Sequence, residues 1–319
     1  MDFLILGAGG IGSFYGALLI NSGHDVFFIA KDAHLKALQH NGLKLQHPKL
    51  TFCEQVKVDD LKNVNPNWLQ KIDAVIITTK STSTDPIIKE LFLKLKEIKR
   101  EALPFFISLQ NGVENEDIIS KYIPKNKVIG GLCRKIGAHI VKPGVIEATG
   151  NIETIIGAIE PDNKNKEFLN SFSEILEKAN TICELTDDIR FELWKKLIIN
   201  NGVNAICALL RIKTGELMAH DKLSRIVLGL MRETAKAAKL QDVNFKDEDI
   251  LEMFELISKF DSIKPSMLID VEHKKNIELD EICNIVIKNC EIQGEDAPYT
   301  RTISSLLEFI YLEKELNIR

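Results

Sequence analysis

The sequence predicts an α/β chain in two parts, a doubly wound Rossmann-type parallel sheet over residues 1–165 and an all-α domain over residues 166–319. Three observations carry this. The chain opens with an apolar strand, Asp2-Phe-Leu-Ile-Leu, that runs directly into Gly7-Ala-Gly9-Gly-Ile-Gly12. Short apolar, β-branched runs then alternate with helical patterns as far as Ile159, as buried parallel strands and their crossover helices require. From Glu167 onward only helical apolar spacing remains.

The glycines have the spacing of a dinucleotide-binding turn, with a strand before and a helix after, which is the context the motif needs. Gly7 makes the tight turn, Gly9 lets the backbone approach a pyrophosphate, and Gly12 lets the helix pack on the strand. The anion is expected against the backbone of Gly7, Ala8, Gly9, Gly10, Ile11 and Gly12, at the positive end of the helix. That helix, residues 11–21, ends at Ser22-Gly23, and a second strand follows over residues 26–30. Its tip selects the dinucleotide. NAD sites place a carboxylate about 20 residues past the glycines for the ribose hydroxyl, whereas NADP sites place a cation for the 2′-phosphate. Lys31 stands at the strand end and Asp32 one residue later, starting from the opposite side. NADPH is therefore expected over NADH, with Lys31 on the 2′-phosphate. The alternative is a solvated Lys31 with Asp32 holding the ribose.

Further elements follow in order. Residues 32–39 read as a helix and 43–58 as short strands around His47-Pro48. Residues 73–79 read as a buried strand ending at Lys80, 86–100 as a helix, and 104–109 as a strand ending in Gln110-Asn111-Gly112. In open α/β sheets ligands bind outside the carboxyl ends of the strands, which puts Lys80, Asn111 and the glycine turn on one sheet edge. Residues 127–130 form a further strand, and 144–150 with 154–159 are expected as an antiparallel hairpin closing the domain. Residues 160–166 read as a polar, proline-containing linker, with a hinge near Pro161 that permits closure over substrate. Helices are expected at 168–179, 188–210, 215–240, 247–260 and 278–293.

Composition narrows the function classes. At 319 residues and 45% hydrophobic content the chain supports two cores. A net charge of −5, with no basic stripe, excludes a nucleic-acid footprint. Six scattered cysteines lack metal-ligand spacing and read as reduced thiols, so no metal is expected. Neither a signal peptide nor a membrane-length apolar run is evident, and a cytoplasmic location follows as the expectation. Long helices such as 217–240 offer a face either to a homodimer or to the domain's own core.

Within the helical part, Glu192, Lys196, Asn200 and Asn204 are each four apart and form a polar stripe along an otherwise apolar helix. Buried lysine and asparagine need polar partners, so the stripe implies something polar to meet them. A second polar cluster, Ser266 to Asp270 and then Glu278 with Asp280, reads by residue physics alone as helix capping and first-turn acids.

With these motifs on the page the chain resembles the ketopantoate reductases along nearly its whole length. The matching residues are Gly7-x-Gly9-x-x-Gly12, Lys31, Lys80, Asn111-Gly112-Val113 and Trp194-x-Lys196-Leu197-x-x-Asn200-x-x-x-Asn204. Gly215-Glu216-Leu217, Ser266-Met267-Leu268-x-Asp270 and Glu278-x-Asp280 complete the set. The resemblance implies NADPH-dependent reduction of a small 2-keto acid, with Lys196 as proton donor and Glu278 orienting the lysine or cofactor. It implies that Asn200 and Asn204 bind substrate oxygens and Ser266 the substrate carboxylate. Asn111 would meet cofactor and substrate, and Lys80 would add positive charge beside the cofactor. A positioned ammonium suits this chemistry, because hydride arriving at a carbonyl carbon leaves charge on oxygen, and burial in an apolar helix lowers a lysine's proton affinity. The chain departs from the family pattern at Thr214, Ile277 and Cys283-Asn284. Those departures keep open a related 2-keto or 3-hydroxy acid dehydrogenase, and a non-catalytic NADP(H)-sensing module is the remaining alternative.

Overall fold

The computed structural model describes residues 1–100, 102–259 and 262–313. The helix end expected at Phe260 and the last six residues of the expected second domain lie outside the described residues. The chain divides into two compact units, Met1–Ile189 and Arg190–Arg319.

The first unit runs β1 (Asp2–Leu6), α1 (Gly10–Asn21), β2 (Asp25–Ile29), α2 (Asp32–Asn41), β3 (Leu43–His47), β4 (Leu50–Glu54) and β5 (Lys57–Asp59). It continues with α3 (Pro66–Lys71), β6 (Ala74–Ile77), α4 (Thr84–Glu97), β7 (Phe105–Ser108), α5 (Asn115–Ser120), β8 (Val128–Lys142), β9 (Val145–Ala158), α6 (Asn163–Lys178) and β10 (Ile182–Leu185). One sheet takes the order β4-β3-β9-β8-β7-β6-β1-β2-β5, with β10 also pairing on β9. The run from β5 to β8 is parallel throughout, and β1 lies between β2 and β6, where the winding reverses. Alternation along β1 feeds two cores. Phe3 and Ile5 join Phe14, Phe28, Phe168 and Phe172 on one face, while Leu4 and Leu6 join Leu69, Ile88, Leu91 and Ile119 on the other.

Two expectations for this unit are corrected. The expected hairpin over 144–159 is instead a single strand, β9, that pairs antiparallel with a 15-residue β8, and the reversal falls at Gly144 with φ +80°. Gly150, which reads as a turn, instead sits at a register shift opposite Arg134 to Ile136 with φ +95°, a bulge that a left-handed glycine accommodates. The stretch 160–166 is likewise no free linker. Asp162 and Asn165 form a reciprocal capping box that starts α6, and Asn126 Nδ2 donates to Asp162 at 2.9 Å. α6 then packs Phe168, Leu169, Phe172 and Leu176 onto the sheet. The first unit thus reaches Ile189, 24 residues beyond the expected boundary at 165.

The second unit comprises α7 (Ile189–Leu210), α8 (Thr214–Ala219), α9 (Asp221–Ala238), α10 (Asp247–Ser258), α11 (Ser266–Glu272), a π-helical turn (Asp280–Asn284), α12 (Ile285–Ile292) and α13 (Pro298–Glu308). The single helix expected over 215–240 breaks at His220, whose φ of −100° and ψ of 110° are extended. The start of α13 is held by the buried Glu233 carboxylate, which accepts from the N–H groups of Tyr299 and Thr300 at 2.8 Å. A carboxylate there satisfies free donors at the positive helix end. Among the described residues no helix is long and apolar enough to cross a membrane.

Candidate active site

In the first unit the glycine turn is held from three directions. The N–H groups of Gly7 and Ala8 both donate to the Ile29 carbonyl of β2, at 3.2 and 2.9 Å. Thr78 Oγ1 donates to the Gly7 carbonyl at 2.7 Å, and Ser13 Oγ to the Ala8 carbonyl at 3.0 Å. Gly7 has φ +110°, a conformation that side-chain-bearing residues rarely adopt. A methyl on Gly12 would strike the Gly7 carbonyl and Thr78, and one on Gly10 would strike the Ala138 carbonyl of β8. At Gly9 the outcome is opposite, because an added Cβ meets nothing within 4 Å. Gly9 is also the N-cap of α1 and supplies no side-chain cap. An uncapped helix start beside open space fits a pyrophosphate, whose oxygens would accept from the first-turn N–H groups.

Just past β2, Lys31 and Asp32 are both exposed. Lys31 is the N-cap of α2, again without a side-chain cap, and Asp32 has φ +52°. His34, one turn on, accepts at Nδ1 from the Gly144 N–H at 3.1 Å. Burial holds its imidazole below the ordinary value of 6.5, opposed by the nearby Ala8 carbonyl. A protonated ring would also turn a donor toward the Gly144 N–H.

Lys80 is exposed beyond the end of β6, and Asn111 is half-buried beyond the end of β7. Their backbones are linked by side chains that the sequence reading passed over. Gln110 Nε2 donates to the Thr79 carbonyl and to Thr84 Oγ1, at 2.9 and 2.8 Å, while Asn115 Nδ2 and Ser81 Oγ each donate to the Asn111 carbonyl at 2.7 Å. Thr78 was missed for the same reason. A polar residue at a strand end is a signal only once its strand neighbour is known.

In the second unit α7 carries the polar stripe. Glu192, Lys196 and Asn200 are half-buried, and Asn204 is 3% exposed. Asn204 Nδ2 donates to Ser266 Oγ at 3.4 Å, joining two residues 62 positions apart. Ser266 is exposed and opens α11; its neighbour Pro265 is the N-cap, so Ser266 does not serve as the cap. The approach to Ser266 is pinned by Thr214, whose N–H donates to the Ile263 carbonyl at 3.0 Å and whose Oγ1 accepts from the Ile263 N–H at 3.1 Å. Trp194 is fully buried and donates through Nε1 to Gln241 at 2.9 Å, which fixes the rotation of α7. Asn201, adjacent to the stripe, is a core residue that donates to Thr234 and Thr300. Glu278 is half-buried two residues before the π-helical turn. There Asn284 donates to Asp280 at 2.8 Å and accepts from Ser304 at 2.9 Å.

Comparison with known proteins places these two sets of residues in one lineage. Residues 3–161 match the family described as ketopantoate reductase PanE/ApbA, and residues 188–311 match its C-terminal counterpart. The chain is 32% identical to a 2-dehydropantoate 2-reductase of Pyrococcus horikoshii, with 97% of each chain covered. Among solved structures, a 2-dehydropantoate 2-reductase from Geobacter metallireducens aligns with a TM-score of 0.83 at 27% identity, covering 97% of this chain and 100% of the other. The ternary structure of D-mandelate dehydrogenase with NADH and anilino(oxo)acetate shares the fold, with a TM-score of 0.87 at 21% identity and full coverage of both chains. With tandem family matches spanning both units, the chain belongs to the ketopantoate reductase PanE/ApbA family.

Proposed function

We propose that this chain is an NADPH-dependent 2-dehydropantoate 2-reductase, forming pantoate for pantothenate and coenzyme A synthesis. The observation that carries the reading is the contact with Ser266 made by Asn204, which lies on the same helix as Lys196 and Asn200. It stands in a chain spanned almost end to end by relatives of that name. NADPH, when bound, supplies the hydride for the ketone carbon. Residues 7–12 and the uncapped start of α1 hold its pyrophosphate, and Lys31 with the uncapped start of α2 takes its 2′-phosphate. Lys80 adds positive charge beside the cofactor, and Asn111 meets both cofactor and substrate. Asn200 and Asn204 hydrogen-bond substrate oxygens, while Ser266 binds the substrate carboxylate. The Lys196 ammonium stabilises charge developing on the ketone oxygen and then delivers the proton there. Glu278 orients Lys196 or the cofactor. A cytoplasmic location completes the proposal, supported by six cysteines that all remain thiols.

A second reading, the same reduction on another 2-oxo acid, draws on the segment after Glu278. Cys283 is fully buried and Asn284 is tied to Asp280 and Ser304, where the resemblance leads one to expect an asparagine-glycine pair. NADPH oxidation measured across a keto-acid panel, ketopantoate and the oxo acid of mandelate included, separates the readings. Highest turnover is expected with ketopantoate. A strong preference for another acid selects the second reading, and NADPH binding without oxidation of any panel member defeats both.

A further inference from the structure

The loop leaving β6 and the loop leaving β7 are joined by buried and part-buried hydrogen bonds whose directions are all determined. Gln110 Nε2 faces three acceptors, the carbonyl and the hydroxyl of Thr79 and Thr84 Oγ1, and the Thr79 carbonyl can only accept, which fixes this atom as the amide nitrogen. Thr84 Oγ1 therefore spends its proton on Asn115 Oδ1, at 3.0 Å. Asn115 Nδ2 then donates to the Asn111 carbonyl, which also accepts from Ser81 Oγ. Thr84, Gln110 and Asn115 are 0%, 4% and 2% exposed, so water does not compete for the two bonds of the Thr84 hydroxyl. Gly112, directly after Asn111, has φ +96°, a left-handed conformation that favours glycine. Gln110 also keeps its Oε1 buried with no hydrogen-bond partner. Such an orphaned acceptor is destabilising, which is the mark of a residue retained for geometry over stability.

We propose that Thr84, Gln110 and Asn115 are positioning residues that set Asn111 through its main-chain carbonyl, so that turnover depends on the Thr84 hydroxyl. This rests on the reading that Asn111 meets nicotinamide and substrate. Because the pyrophosphate is held separately by the glycine turn, a loosened Asn111 acts on the geometry of hydride transfer and little on cofactor affinity. Sub-ångström misplacement of this kind lowers kcat by about tenfold.

The test uses the full-length enzyme with NADPH and ketopantoate. Thr84→Val removes the hydroxyl at nearly constant volume and is expected to lower kcat about tenfold while the KM for NADPH stays within about threefold. Thr84→Ser keeps the hydroxyl and is expected to restore kcat. Gln110→Met breaks the other end of the relay and serves if the valine variant does not fold. In an Asn111→Ala background, Thr84→Val is expected to add no further loss, because it acts through Asn111. Parental kcat in both Thr84→Val and Gln110→Met overturns the proposal. So does equal loss in the serine variant, or full additivity with Asn111→Ala. Should Asn111→Ala itself keep parental kcat, the underlying reading of Asn111 fails, whatever Thr84→Val does.

Discussion

The glycine turn of the first unit and the polar stripe of the second build their candidate binding groups in opposite ways. In the first, the groups offered to a ligand are main-chain N–H donors, flanked by glycines without side chains and by locks such as Thr78 and Ser13. In the second, the offered groups are side chains, Lys196, Asn200, Asn204 and Ser266, projecting from helices fixed by Trp194 and Thr214. A site made of backbone is damaged by adding atoms. A site made of side chains is damaged by removing them.

The largest effect should come from deletion on α7. Lys196→Ala removes the proposed proton donor and is expected to lower kcat by about a hundredfold to ten-thousandfold, with the melting temperature close to the parent because the residue is half-buried. Steady-state kinetics with NADPH and ketopantoate reads this directly, and full turnover in the variant would sink the assignment.

Addition to the glycine turn comes next, and it splits by position. Gly12→Ala drives a methyl into the Gly7 carbonyl and Thr78 and is expected to destabilise the fold by about 1–3 kcal/mol, seen as a lower melting temperature along with weaker NADPH binding. Gly9→Ala places its methyl in open space. It is expected to leave the melting temperature unchanged while raising the NADPH Kd about tenfold, equivalent to about 1.4 kcal/mol. Equal melting temperatures for the two variants would erase the distinction between a glycine needed for packing and one needed for a ligand.

A smaller effect concerns cofactor choice. Lys31→Ala is expected to reduce the preference for NADPH over NADH about fivefold to tenfold, since an exposed cation contributes about 1 kcal/mol. An unchanged ratio of the two Michaelis constants would return Lys31 to the solvent.

The smallest effect is a pH dependence of stability. His34 is held below its ordinary value of 6.5, chiefly by burial. The unfolded chain therefore binds more protons than the folded one below that value, so the contribution is complete above 6.5 and fades as pH falls. Thermal unfolding at stepped pH should show parental and His34→Gln proteins converging toward acid. Parallel curves through that range would exclude His34 as a contributor.

Much of the candidate site was legible because its signals are local. The glycine spacing, the basic residue at the tip of β2, and the four-residue rhythm of Lys196, Asn200 and Asn204 each lie within a few turns of chain, where helix and strand periodicity operate. The pairing of Asn204 with Ser266 needed the fold, as did the relay from Gln110 to Asn111, since each joins segments distant in sequence.

By itself the amino-acid order determined the alternation of strands and helices, the glycine turn, and the change to helices alone in the second unit. Tertiary structure decided the rest: that β3 lies beside β9, about a hundred residues away, that α6 belongs to the first sheet, and that Gly150 is a bulge while Gly144 is the turn. The physical reason is the range of each cause. Propensity and periodicity act over about ten residues, whereas strand register and the partners of buried polar groups are set by which surfaces meet.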